Sequence, residues 1–261
     1  MPFPRSFEQH ALHIKLINVT DPLAPLLQLP DVEAAVVRAR AAVDGALKHW
    51  SLRKKGGPVA AEVSLRAAVA SAALSDHRYA TEEVRTGAVL DPVVQGSLRV
   101  AEALPGMVEL WPKVPRQALA RLHLLAATGV LPESELGRPV ADPVVAARLE
   151  ALSELVIAAE GEPIIRAAVV HGELLALRAF EGANGVVARA AARLTLVSSG
   201  FDARGVIAVE EGHMRREPEY VGAANAFATG TPDGLRSWLR HYTTAIEEGV
   251  GVFTEIADAF N

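Results

Sequence analysis

The 261 residues are 50% hydrophobic, carry a formal net charge of −5 and have an isoelectric point near 5.9. That much apolar material supplies the core of one substantial domain and excludes global disorder, while a mildly acidic chain with no basic stripe excludes a nucleic-acid partner. The chain has no cysteine, which removes disulfide frameworks and thiolate metal sites and fits the cytoplasm.

No apolar run is long enough to span a bilayer, and MPFPRSFEQH lacks the apolar stretch of a secretory signal, so no membrane partner is expected. Residues 9–19 alternate weakly between apolar and polar, which suits a short strand or an extended arm. Apolar residues at helical spacing follow from Asp31, whose carboxylate is placed to cap the helix. Ser51–Pro58, charged and carrying Gly56-Gly57-Pro58, reads as a linker. It divides the chain into an N-terminal arm and helix, 1–57, and a helical domain, 58–261.

Further helices are predicted over Val59–Leu74, Glu82–Val84, Asp91–Leu104 and Arg116–Ala127. A loop rich in Gly and Pro runs from Gly129 to Asp142. Pro143–Ala159 and Pro163–Leu177 each place a proline in the first turn, where its missing N–H has no cost. Asn184–Ser198 is closed by Gly200, and a last helix from Asp233 through Ile246 continues toward Phe260 with a break around Gly249–Gly251. Period-two β-branched runs are nearly absent, so the fold class is all-α.

The most informative stretch is His171–Arg193, an apolar helix, a glycine-bearing turn, and a second helix opening at Asn184-Gly185. Such a turn aims several free backbone N–H groups at one point, which suits a phosphate. Arg189, a turn and a half into the second helix, adds a fixed positive charge.

Aligned without gaps, Arg178-Ala179-Phe180-Glu181-Gly182-Ala183-Asn184-Gly185-Val186-Val187-Ala188-Arg189 resembles the Fic/Doc (Fido) motif His-x-Phe-x-(Asp/Glu)-Gly-Asn-Gly-Arg-x-x-Arg. Phe180, Asn184, Gly185 and Arg189 match. The likeness extends to AAVVH ending at His171, LARLHLLAATG around His123, REPEYVGAANAF and GTPDGLRSWLRHYTTAI, covering roughly residues 58–250. It implies a Fic-like helical domain whose competent relatives transfer AMP to protein hydroxyls. It assigns the nucleotide or anion contacts to Gly182, Ala183, Asn184, Gly185, Arg189 and Arg178.

The departures from the motif are specific. Arg178 stands where the family's general base is a histidine, and arginine cannot give up its proton near neutral pH. Gly182 stands at the acidic, magnesium-binding position, so no metal site is expected and magnesium as cofactor is doubtful; a one-residue shift would put Glu181 there instead. Val186 replaces the first motif arginine. Ser71-Ala72-Ala73-Leu74-Ser75-Asp76 matches the family's inhibitory helix, whose glutamate pairs with the second motif arginine; serine replaces that glutamate, and only Asp76 could stand in. Pro139 and Pro143 leave little room for the hairpin flap that clamps a target.

His171 and His123 read as core histidines bonded to backbone. His213, between acidic neighbours in EEGHMRRE, reads as part of a solvated loop, in preference to a metal site, and Arg215-Arg216 as a solvated face. Three functions compete. The first is a non-catalytic protein binding ATP, another nucleotide or a phosphate ligand and acting through an unknown protein partner. The second is an active AMP transferase using Arg178 and Glu181 as electrostatic stabilisers. The third is a structural interaction module, compatible with a homodimer.

Overall fold

The computed structural model of the chain describes residues 21–260; the arm expected over 9–19 lies outside them. The described residues form α1 (Ala24–Leu27), α2 (Val32–Ala46), α3 (Ser51–Lys54), α4 (Gly56–Ala73), α5 (Thr81–Arg85), α6 (Pro92–Ala103), α7 (Pro115–Ala127), α8 (Pro143–Ala158), α9 (Pro163–Leu177), α10 (Asn184–Ser198), α11 (Val209–Arg215), α12 (Glu217–Phe227) and α13 (Pro232–Ala259). They contain no strand, only an isolated bridge between Thr128 and Leu131. The all-α expectation holds.

The prolines act as their spacing predicts, and two aspartates ahead of them serve as caps. Asp91 accepts from the N–H groups of Val93 and Val94, and Asp142 from those of Val144 and Val145, each just ahead of a first-turn proline. Asp31 differs. It occupies the cap position of α2 in a left-handed conformation and makes no side-chain cap; its carboxylate is drawn instead to Arg236 on α13 at 2.7 Å. The expected linker is also corrected. Ser51–Lys54 is helical and α4 already begins at Gly56, because Pro58 falls in a first turn where it needs no N–H. The break expected at Gly249–Gly251 is absent, and α13 runs unbroken for 28 residues.

One face of α2, Val32, Val36, Ala39 and Val43, packs into the same core as Trp238, Tyr242 and Phe253 of α13. Trp238 is fully buried and donates its indole N–H to Ala168 O at 2.8 Å, so its large apolar area is buried with its polar atom satisfied. A second core gathers around Met107, Trp111, Leu122 and Phe180. The two meet on α10, where Ala192 and Leu196 face one core and Val187, Ala191 and Leu194 the other. Every residue from Val186 to Leu196 is buried. A helix buried all round is a core helix, and this one carries two arginines.

Segment 129–142 holds a single 3₁₀ turn, Glu133–Glu135, and no hairpin. Val140 donates its N–H to Ala179 O at 2.8 Å, which lays this segment against the glycine turn.

Candidate anion-binding site

The turn between α9 and α10 is held from three directions. Arg178 ends α9 in a left-handed conformation (φ 48°), exposed to solvent, with its N–H bonded to Leu174 O. Asn184 reaches back across the turn: its Oδ1 accepts from Phe180 N at 3.2 Å and its Nδ2 donates to Leu174 O at 2.9 Å. Its amide is thereby committed to shaping the loop, and only its backbone N–H faces the helix start. His123 holds the third side. Its Nδ1 accepts from Gly137 N at 3.1 Å, so the ring proton sits on Nε2 and is donated to Glu181 O at 2.9 Å. Burial lowers the pKa of His123, which keeps the ring neutral for this dual role.

Gly182 is exposed with φ 69°, and a Cβ there would stand 3.0 Å from Leu131 Cγ. Both the backbone and the neighbour therefore select glycine. Val186 points into the second core at 3% exposure. No side chain caps α10, and its first intrahelical bond is Val187 N to Ala183 O. The N–H groups of Asn184, Gly185 and Val186 precede that bond and form the donor end of the helix.

Arg189 is the charge at this end. It is 3% exposed and folds back over Gly185, where a Cβ would meet both terminal nitrogens at 3.1 Å. Nε donates to Ser71 Oγ at 2.9 Å, and Nη2 donates to Ser71 O at 2.7 Å and to Ser75 Oγ at 2.8 Å. Nη1 donates to Tyr220 OH at 3.3 Å and keeps a second N–H. All four acceptors are neutral. No described carboxylate forms an ion pair with Arg189, although other arginines of the chain have several such partners.

Behind Arg189 lies a buried cluster of histidine and tyrosine. His171 Nε2 meets Tyr220 OH at 3.1 Å, and His213 Nδ1 meets His241 Nε2 at 2.9 Å. His171 is buried as expected, but its partner is a phenol, where a backbone group was expected. His213 corrects the sequence reading outright. It is 1% exposed and lies on a helix, because Gly212 lets α11 approach α13 so closely that a Cβ would stand 2.0 Å from Ala245 O. Burial, reinforced by Arg189 and the neighbouring rings, holds His171 and His213 well below the ordinary imidazole pKa, and burial pushes His241 down to about 4. Among the described residues no set of three His, Cys, Asp or Glu side chains comes together as a metal site. Arg215 and Arg216 are partly exposed and paired with glutamates, the solvated face expected.

The sequence located Arg189, and the likeness to the inhibitory helix put Ser75 at the position that faces it, but Ser71 and Tyr220 were not assigned as its partners. Ser71 lies four residues ahead of Ser75 on one helical face, the signal that was available for it; Tyr220 lay within the segment resembling the family, without an assigned role.

No protein-family model matches the chain, and no curated protein matches it in sequence. Solved structures share its shape. A Fic family protein from Desulfovibrio desulfuricans G20 matches over 85% of this chain and 74% of its own, at 19% identity and a TM-score of 0.66. Fic-1 from C. elegans matches over 91% of this chain and 76% of its own, at 16% identity and a TM-score of 0.68, and a variant of the same worm protein matches at 17% identity and 0.67, over 89% and 74%. The chain adopts the Fic fold. Among the described residues no helix is long and apolar enough to cross a membrane.

Proposed function

We propose that this chain binds the phosphate of a nucleotide or other phosphorylated ligand at the start of α10 and does not transfer AMP. One observation carries the reading: Arg189 is a buried cation whose four hydrogen-bond acceptors are all neutral and which no described carboxylate meets in an ion pair, Glu210 acting on it only at longer range. Burying an unpaired charge is costly, and an anion at the adjacent N–H groups of Asn184, Gly185 and Val186 would offset that cost. Ser75 is half-buried and is the acceptor that can turn aside to admit it.

The chemistry of the turn supports binding without transfer. Arg178 cannot accept a proton from an attacking hydroxyl, and the absence of a general base alone costs about 10²–10⁴-fold in rate. Gly182 offers no carboxylate for a magnesium ion. The backbone N–H groups of Asn184, Gly185 and Val186 at the start of a helix, with the Arg189 charge beside them, are the kind of donors a phosphate uses.

Thermal melts of the full chain with ATP, ADP, AMP and inorganic phosphate, each with and without magnesium, test this reading, because a ligand of the native state must raise the melting temperature. A shift that is independent of magnesium and lost in Arg189→Gln is expected. Labelled ATP incubated with the protein and a cell lysate is the counter-test. Robust label transferred to protein by the wild type and not by Asn184→Ala would establish an active transferase and overturn the proposal.

A further inference from the structure

Arg193 on α10 and Glu210 on α11 form an ion pair deep in the fold, with side chains 8% and 7% exposed and 3.6 Å between Nη1 and Oε2. That distance is too long for a hydrogen bond. Glu210 Oε2 has no hydrogen-bond partner among the described residues. Arg193 spends Nη2 on Gly205 O at 2.8 Å.

Two small cavities flank this pair. The first, about 20 Å³, lies between α4, α6 and α10 and is lined by Ser71, Ser97 and Val186 together with Arg193 and Glu210. The second, about 10 Å³, lies among α9, α10, α11 and α13 and is lined by His171, Arg189, His213 and Tyr242 together with the same pair. The lining residues also bring unpartnered polar atoms: Ser97 Oγ to the first cavity, and His171 Nδ1, His213 Nε2 and Tyr242 OH to the second. Each of these residues is at most 2% exposed. Left unsatisfied, so many buried polar atoms would cancel most of the net stability of an ordinary domain.

The volumes decide what can satisfy them. A water molecule needs roughly 10–15 Å³ of such space, so each cavity admits about one and nothing larger. The polar atoms also suit it in kind. Arg189 can only donate, so Tyr220 accepts from it and turns its O–H toward His171 Nε2. That places the imidazole proton of His171 on Nδ1, a donor, in the same cavity as the acceptor Oε2 of Glu210. A single water can accept from the first and donate to the second.

We propose that each cavity holds one ordered water molecule, and that the two waters with the Arg193–Glu210 pair between them form a continuous polar relay from Ser97 on α6 to His171 and Tyr242 beneath Arg189. The relay ties the polar floor of α10 to four neighbouring helices through atoms that make no direct contact.

Oxygen-17 relaxation dispersion on the full chain counts waters that reside longer than molecular tumbling, and a high-resolution crystal structure locates them. Ser97→Ala and Tyr242→Phe each remove only a hydroxyl. The expected result is water density in both cavities of the wild type, with one long-lived water fewer in each variant. Cavities free of density, with Ser97 Oγ and Glu210 Oε2 bonded to protein groups, would overturn the proposal, as would an unchanged count in both variants. Should either variant fail to fold, the density in the wild type decides.

Discussion

Arg189 Nη2 donates to Ser75 Oγ across 2.8 Å, and the same hydroxyl lies 3.4 Å from the position a Cβ on Gly185 would take. The end of α4 and the start of α10 are therefore latched through one cation and neutral oxygens. A hydroxyl is a weaker latch than a carboxylate, since its bond to the cation, about 1.5–3 kcal/mol, leaves the Arg189 charge unneutralised.

Replacing that hydroxyl by a carboxylate strengthens the latch. Ser75→Glu is expected to pair directly with Arg189 as an ion pair, in which both donor and acceptor are charged and the guanidinium can be met bidentately. The melting temperature should rise by a few degrees, and ATP affinity, read by titration calorimetry, should fall by about tenfold or more. Unchanged ATP affinity alongside a raised melting temperature would place the ligand away from Arg189.

Asn184→Ala tests the turn itself. The substitution strands Phe180 N, a partly buried backbone group that loses its partner, while Leu174 O keeps only the Arg178 N–H. At about 1–3 kcal/mol per unsatisfied group, the loss should appear as a lower urea midpoint with an unchanged slope. An Asn184→Asp variant keeps the acceptor for Phe180 N and should fall between the two.

Restoring the missing motif residues is expected to damage the protein before it restores chemistry. Gly182→Asp forces a side chain into φ 69° against Leu131, at a backbone cost of about 1–2 kcal/mol. Val186→Arg places a charge inside the second core, a penalty of several kcal/mol without a partner. Denaturant titration of the two single variants should rank Val186→Arg as the more destabilised, with neither gaining magnesium-dependent ATP binding.

The buried histidines set an acid limit. His171, His213 and His241 have pKa values depressed in the fold, so the unfolded chain binds more protons below the ordinary imidazole pKa of 6.5. Their contribution is complete above that value and is lost as pH falls toward the folded values. Glu210 and Asp202, raised by burial, act in the opposite sense: their contribution is present in acid and is lost as pH rises through their folded pKa. His241, pushed down to about 4, alone accounts for up to about 3 kcal/mol. Urea midpoints measured between about pH 7 and pH 5 should fall for the wild type and fall less for His241→Gln.

The helices were legible in the sequence because their signals are local. Asp91 and Asp142 sit one residue ahead of prolines, and the faces of α2 and α4 repeat at helical spacing. The errors arose where tertiary partners overrode a local signal. Asp31 had a better partner in Arg236 than in its own helix start, and the polar run EEGHMRR looked solvated because nothing in it announces that Gly212 packs on Ala245. Arg189 could be placed in the site from the motif alone. Ser75 was reached through the likeness to the inhibitory helix, whereas Ser71 on α4 and Tyr220 on α12 lie 118 and 31 residues away in sequence, a distance over which no spacing rule operates.

Because α10 is enclosed from Val186 to Leu196, its amides have no route to solvent short of dismantling both cores. Their hydrogen exchange should proceed only through global opening, which makes this helix the slowest-exchanging segment of the chain. Its first turn, half-exposed at Asn184 and Gly185, is the end of that rigid rod that reaches the surface. The donors there are therefore held in place by the whole molecule, and a ligand that meets them meets a surface already ordered before it arrives.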